Sequence, residues 1–234
     1  SSGTASSVPV SASSAAESTV SSVEETASSA VDENEAAAAQ LLNDLTGSYQ
    51  ELWPVILADE YKQTWLDDCT ALVGEDNAEA AFEKLSSMVT GDVYGEDAVK
   101  AYANGGGAYF CGFTNSLATL TFDGETSTIS GTDKDGNVLF SHAYHYIGME
   151  PVRGLYEFES DDADSGEFTY FFLAPDTSAE TYHIEFRYGS DADALSQYDA
   201  GDYAYWLASG ISTDCDQTMI DNCIELFCTE NLAG

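Results

Sequence analysis

The chain carries three imidazoles, His142, His145 and His183, among 234 residues. An imidazole offers neutral nitrogen to a metal ion or moves a proton near neutral pH, so site chemistry is sought around these three first. His183 lies in TYHIEFRY. On a strand, side chains alternate between faces, so Tyr182, Ile184, Phe186 and Tyr188 share one face, and Thr181, His183, Glu185 and Arg187 the other. An apolar face backed by a polar face bearing His183 makes this strand the best place for a site. His142 and His145 are three positions apart and face opposite sides of their strand, so at most one of them can join His183. A hydrogen-bonded structural histidine is the plainer alternative for each. No GxSxG, Walker, HExxH or dinucleotide fingerprint is present, no acid–base or nucleophile set emerges, and an enzyme is not expected.

The elements that must hold His183 are read from periodicity. Gly154–Ser160, Glu167–Leu173 and Thr181–Tyr188 read as three successive strands, separated by the acidic turn Asp161–Gly166 and a loop containing Pro175. Ahead of them, period-two patterning predicts strands over Ala108–Phe113, Leu117–Phe122, Thr126–Thr132 and Val138–Ile147, with Asp123-Gly124 and Asp135-Gly136 as hairpin turns. Seven or more short-linked antiparallel strands predict a meander closed into a barrel. Gly47–Tyr49 reads as either a barrel strand or a short helix. Helical spacing predicts helices over Asp59–Leu72, over Asn77–Met88 with Phe82, Leu85 and Met88 inward, and over Gly95–Tyr102. A short helix follows Ser190, then the aromatic stretch around Tyr203, Tyr205 and Trp206. Asp214-x-x-Gln217 reads as a capping box for a last helix, Gln217–Cys228, with Ile220, Cys223 and Phe227 inward. The class is α+β, mainly β with helices.

Residues 1–40 differ in kind. They are rich in Ser, Ala and Glu, with no Lys or Arg, and read as a disordered acidic tether; residues 41–234 form the folded domain. Six basic residues face 42 acidic ones, a net charge of −36. Such a surface repels phosphate backbones and anionic lipid, which excludes nucleic-acid binding, and favours cations or plain solvation. No run approaches a membrane span, so no transmembrane helix is expected. The chain begins with Ser, which fits a processed form whose signal peptide is gone. The acidic turns Asp133–Asn137 and Asp161–Glu167 lack the ligand spacing of an EF-hand loop. Five cysteines form no CxxC pair. Cys215 and Cys223 stand two helical turns apart, ~12 Å of rise, so a disulfide would join Cys69 or Cys111 to the C-terminal segment. The odd number leaves one thiol free, or all five reduced.

RGLYEFES, GEFTYFFLAP and ETYHIEF, then a helix and YAYW, with LTGSYQELWPVI near the start, resemble the ZinT (YodA) family of zinc-binding proteins. The likeness runs over about residues 45–230. It implies a calycin or lipocalin-like antiparallel barrel flanked by N-terminal helices and a C-terminal helix. It also implies export to the cell envelope, as a monomer, with zinc or another divalent metal as ligand and a metal-uptake transporter component as partner. A lipid anchor just before residue 1 would suit the tether. The family's zinc is held by one histidine shortly before an Ala-Pro and two in His-x-His on the next strand. Here Phe171 precedes Ala174-Pro175, Thr181 takes the first His-x-His position, and only His183 keeps its imidazole. Glu180 and Glu185 are the carboxylates placed to complete a degenerate site with His183. One imidazole with carboxylates favours weaker zinc binding or a harder ion. The alternative is a lipocalin-like module whose lumen, lined by Phe171, takes a small apolar ligand, or a structural envelope domain without metal.

Overall fold

The computed structural model describes residues 33–175 and 183–234. The chain divides into two units, Ser1–Ala37 and Ala38–Gly234. Of the first, residues 33–37 are helical. The expected tether falls largely outside the described residues, as do Glu180, Thr181 and Tyr182.

The second unit opens with helical residues 38–44 (α1), whose Ala38, Leu41 and Leu42 are buried at the i, i+3, i+4 spacing of one helix face. Eight strands follow: β1 (Gly47–Glu51), β2 (Thr119–Asp123), β3 (Thr128–Thr132), β4 (Val138–Met149), β5 (Tyr156–Ser160), β6 (Tyr170–Leu173), β7 (His183–Gly189) and β8 (Ala208–Ser212). Each pairs antiparallel with the next, and β8 pairs back onto β1, so the barrel is closed and no edge is left open. The expected closed meander is therefore the observed architecture. The helices are α2 (Leu52–Ile56), α3 (Lys62–Val73), α4 (Glu75–Val89), α5 (Glu96–Ala101), α6 (Ala192–Leu195) and α7 (Gln217–Leu232). Among the described residues no helix is long and apolar enough to cross a membrane.

Several boundaries differ from the sequence expectation, each for a local reason. Residues 108–113 stay out of the barrel. Their backbone bonds instead to the ends of α4 and the segment before β8, as in Tyr109 N–H to Met88 O (2.9 Å) and Phe110 N–H to Tyr205 O (2.8 Å). The eighth strand is the unexpected ASGIS of β8, whose small residues carry little strand signal. Position 210 needs that smallness, because a Cβ there would stand 3.0 Å from Ile184 Cγ1. Glu167–Leu173 is not one strand: a 3₁₀ turn (Gly166–Phe168) precedes β6. The last helix is capped by Asp216, which accepts from Met219 N–H at 2.9 Å, and not by Asp214. Met88, expected inward on α4, is 40% exposed because the helix packs on one side only, through Ala78 and Leu85.

Two cores result. The barrel interior is packed with rings from neighbouring strands: Phe171 stacks on Tyr188 (centroids 5.3 Å apart) and Phe140 (5.6 Å), and Phe140 stacks on Phe168 (4.1 Å). Tyr188 ties this stack to the loop before β2 by donating to Thr114 O (2.8 Å) and accepting from Thr114 N–H (2.6 Å). The second core lies between the helices and the outside of β8: Trp53, Trp65 and Cys69 pack with Ile211, Ile220, Cys223 and Ile224. Here α7 presents Ile220, Cys223, Ile224, Phe227 and Cys228, the i, i+3, i+4, i+7, i+8 stripe of an amphipathic helix.

Arg187 is fully buried on the outside of β7. Its Nη1 donates to Leu195 O and to Gln197 O (3.0 Å), its Nη2 donates to Tyr203 O, and its guanidinium lies 4.3 Å from the Tyr198 ring centroid. One flat fork thus holds α6 and the loop after it against the barrel. A lysine cannot serve three carbonyls and stack at once. Arg187→Lys is expected to lower stability by about 3 kcal/mol, read as an earlier urea midpoint with an unchanged slope.

Candidate metal centre on the outer face of β7

The register of β6, β7 and β8 fixes where each candidate side chain points. Phe171 pairs with Tyr188 and Leu173 with Phe186, so Phe171, Phe186 and Tyr188 share the inner face. Ile184 belongs with them, and all four are buried in the barrel core. His183 and Glu185 stand on the opposite face. They are half-buried, and they pair with Ile211 and Ser209 on β8. The alternation expected of this strand holds for every described position.

His183 and Glu185 open onto a narrow cleft roofed by α7. Leu52 and Trp53 line it from α2, and Cys223, Leu226, Phe227 and Glu230 from α7. Its volume is about 20 Å³, room for one particle the size of a water or a bare ion and for nothing organic. Cys223 and Glu230 were not singled out from sequence. The signal was the inward stripe of α7: Glu230 follows Cys223 by seven positions and Phe227 by three, on the same helix face. Glu185 also borders a second cavity of about 330 Å³, lined by Arg153, Leu155, Ala174, Pro175 and Leu207. Arg153 lies over the rings of Tyr109 and Tyr198, at 5.6 and 4.9 Å.

Two thiols stand near the Glu185 carboxylate. Burial, and after it the charge of Glu185, pushes Cys111 and Cys223 up to about 12, so both are neutral S–H groups at pH 7. Among the described residues no three His, Cys, Asp or Glu side chains converge on a point that could hold a metal ion. Glu180, the third of the candidate ligands, lies outside the described residues.

The other two histidines serve elsewhere. His142 Nδ1 is 2.7 Å from Asp162 Oδ2, and His145 Nδ1 is 2.6 Å from Asp161 Oδ1, with Glu159 at 3.8 Å from His145 Nε2. Both pair with the turn after β5. His145 is exposed while His142 is half-buried beside Phe140 and Tyr144, as expected for side chains on opposite faces.

This geometry corrects one reading of the sequence. A histidine at position 171 would point into the packed lumen, five positions out of phase with His183 across the β6–β7 pairing. Phe171 is therefore no neighbour of His183. Among the described residues the lumen around Phe171 is packed with stacked rings.

No protein-family model and no curated protein matches the sequence. Among solved structures, the chain shares the fold of the Zn(II)-bound ZinT-like domain of Streptococcus pneumoniae AdcA, with a TM-score of 0.50 and 14% identity over 79% of this chain and 89% of that one. Zn(II)-bound AdcA from the same organism also matches, at a TM-score of 0.46 and 15% identity, over 80% of this chain and 35% of that one.

Phe171→His, which restores the imidazole at that position, is expected to leave zinc affinity unchanged. It should lower stability by about 3 kcal/mol, because a buried imidazole replaces a stacked ring without a hydrogen-bond partner. Parallel zinc titration and urea unfolding check both halves.

Proposed function

We propose that this domain binds a single divalent metal ion, zinc or a harder cation, on the outer face of β7 beneath α7. In this reading His183 supplies the imidazole nitrogen, and Glu185 and Glu180 supply carboxylate oxygens. The observation that carries it is the pairing of His183 and Glu185 on one face of one strand, opening onto a cleft of about 20 Å³. A cleft of that size selects an ion over an organic ligand. The fold shared with a zinc-bound ZinT-like domain supports a metal ion as the ligand. One imidazole with carboxylates makes a harder and weaker site than three imidazoles, which suits buffering or hand-over better than tight storage. The net charge of −36 draws cations toward the surface and raises their local concentration. On this reading the protein works outside the cytoplasm at the cell envelope, passing metal to an uptake transporter component.

A second reading rests on the cavity of about 330 Å³ on the other side of Glu185. Arg153 at one wall and Glu185 at another, among Leu155, Ala174 and Leu207, suit a small zwitterion. That ligand would depend on Arg153, and the metal would not.

Calorimetry of the metal-free chain should show one zinc ion bound near micromolar affinity or weaker. His183→Ala should weaken it at least tenfold, and Glu185→Gln by less, while Arg153→Ala leaves it intact. No heat of binding, or an unchanged affinity in His183→Ala, would reject the assignment.

A further inference from the structure

Cys69 sits on α3 and Cys228 on α7, and both are fully buried in the helical core. The two helices pack side by side, and the two thiols are within hydrogen-bonding contact of each other. Among the five cysteines, all of them described, no other two thiols are in such contact. Trp65, four positions before Cys69, and Ile224, four before Cys228, are both buried, and the Asp68 carboxyl is the polar group beside the two thiols. Neither thiol has a role in the cleft beneath α7.

We propose that Cys69 and Cys228 form a disulfide that fastens the C-terminal helix to α3. The bond would close a loop containing seven of the eight barrel strands. It would also hold in place the helix that roofs the His183–Glu185 cleft, although the proposal stands whether or not that cleft binds metal. Formation removes two protons and two electrons from the thiols. A small disulfide such as oxidised glutathione accepts them and leaves as two thiols. In the folded, reduced protein both sulfurs are closed off from solvent, so the exchange takes place while the chain folds and α7 is still undocked. The remaining three cysteines, Cys111, Cys215 and Cys223, stay as thiols, which accounts for the odd number.

The test refolds the reduced, denatured full chain in a mixture of oxidised and reduced glutathione, blocks free thiols, and digests with a protease that cuts after Asp and Glu. The sequence places every cysteine on a different fragment, with Cys69 on 69–75 and Cys228 on 226–230. The expected product is a crosslinked pair of those two fragments, with three thiols blocked. The crosslinked chain should melt higher than the same chain in reductant, by on the order of 10 °C, and Cys223→Ala should retain the crosslink. Five blocked thiols after refolding, or 226–230 linked to a fragment other than 69–75, would overturn the proposal without touching the metal assignment.

Discussion

The stacked rings inside the barrel decide everything that follows on β7. Ile184, Phe186 and Tyr188 meet Phe171, Phe140 and Phe168 there, and each ring or aliphatic chain buried in full contributes about 1.5–3 kcal/mol. Because side chains alternate at period two, sliding β7 by one residue would turn all three outward and drive His183, Glu185 and Arg187 into the lumen. No polar partners wait for them among the rings. The apolar face therefore fixes the polar one, and His183 and Glu185 stand outside the barrel because their neighbours must stand inside.

That outer face is not left to solvent, and its two ends are covered differently. Toward the end of β7, α6 and the loop after it close over Arg187, whose two terminal nitrogens donate to three carbonyls and whose guanidinium meets two aromatic faces, while its buried Nε has no partner among the described residues. At the start of β7, α7 spans the strand but leaves a gap of ionic size above His183 and Glu185. The contrast is one of fit. Around Arg187 the backbone wraps the side chain; beneath α7 the cap at Asp216 and the apolar stripe fix the helix at a height that leaves two polar groups facing a small space.

Much of this architecture is legible in the residues. Alternation in His183–Gly189 gives the two faces of β7, and turn residues at Asp123-Gly124 and Asp135-Gly136 give two of the hairpins. The stripe of α7 gives a helix laid on its apolar side. What escaped has physical causes. In β8, Gly210 fits the tight space beside Ile184, and small residues carry no β signal of their own. Residues 108–113 have a strand's composition, yet their hydrogen bonds divide between the end of α4, the segment before β8 and single residues of β8 and β1, so they never join the ladder. The relation between Phe171 and His183 was the hardest to read, since it depends on the register between β6 and β7 across a loop. Local pattern sets which residues of one strand share a face, and only the pairing sets which face of the neighbour joins them.

The central claim is that a metal ion lies outside the barrel wall, between β7 and α7. Crystals of the zinc-loaded chain, measured on both sides of the zinc absorption edge, would locate the ion directly. The account predicts one anomalous peak within bonding distance of His183 and a Glu185 oxygen. A peak inside the barrel beside Phe171, a peak held by His142 and Asp162 alone, or no ordered zinc at all would contradict it.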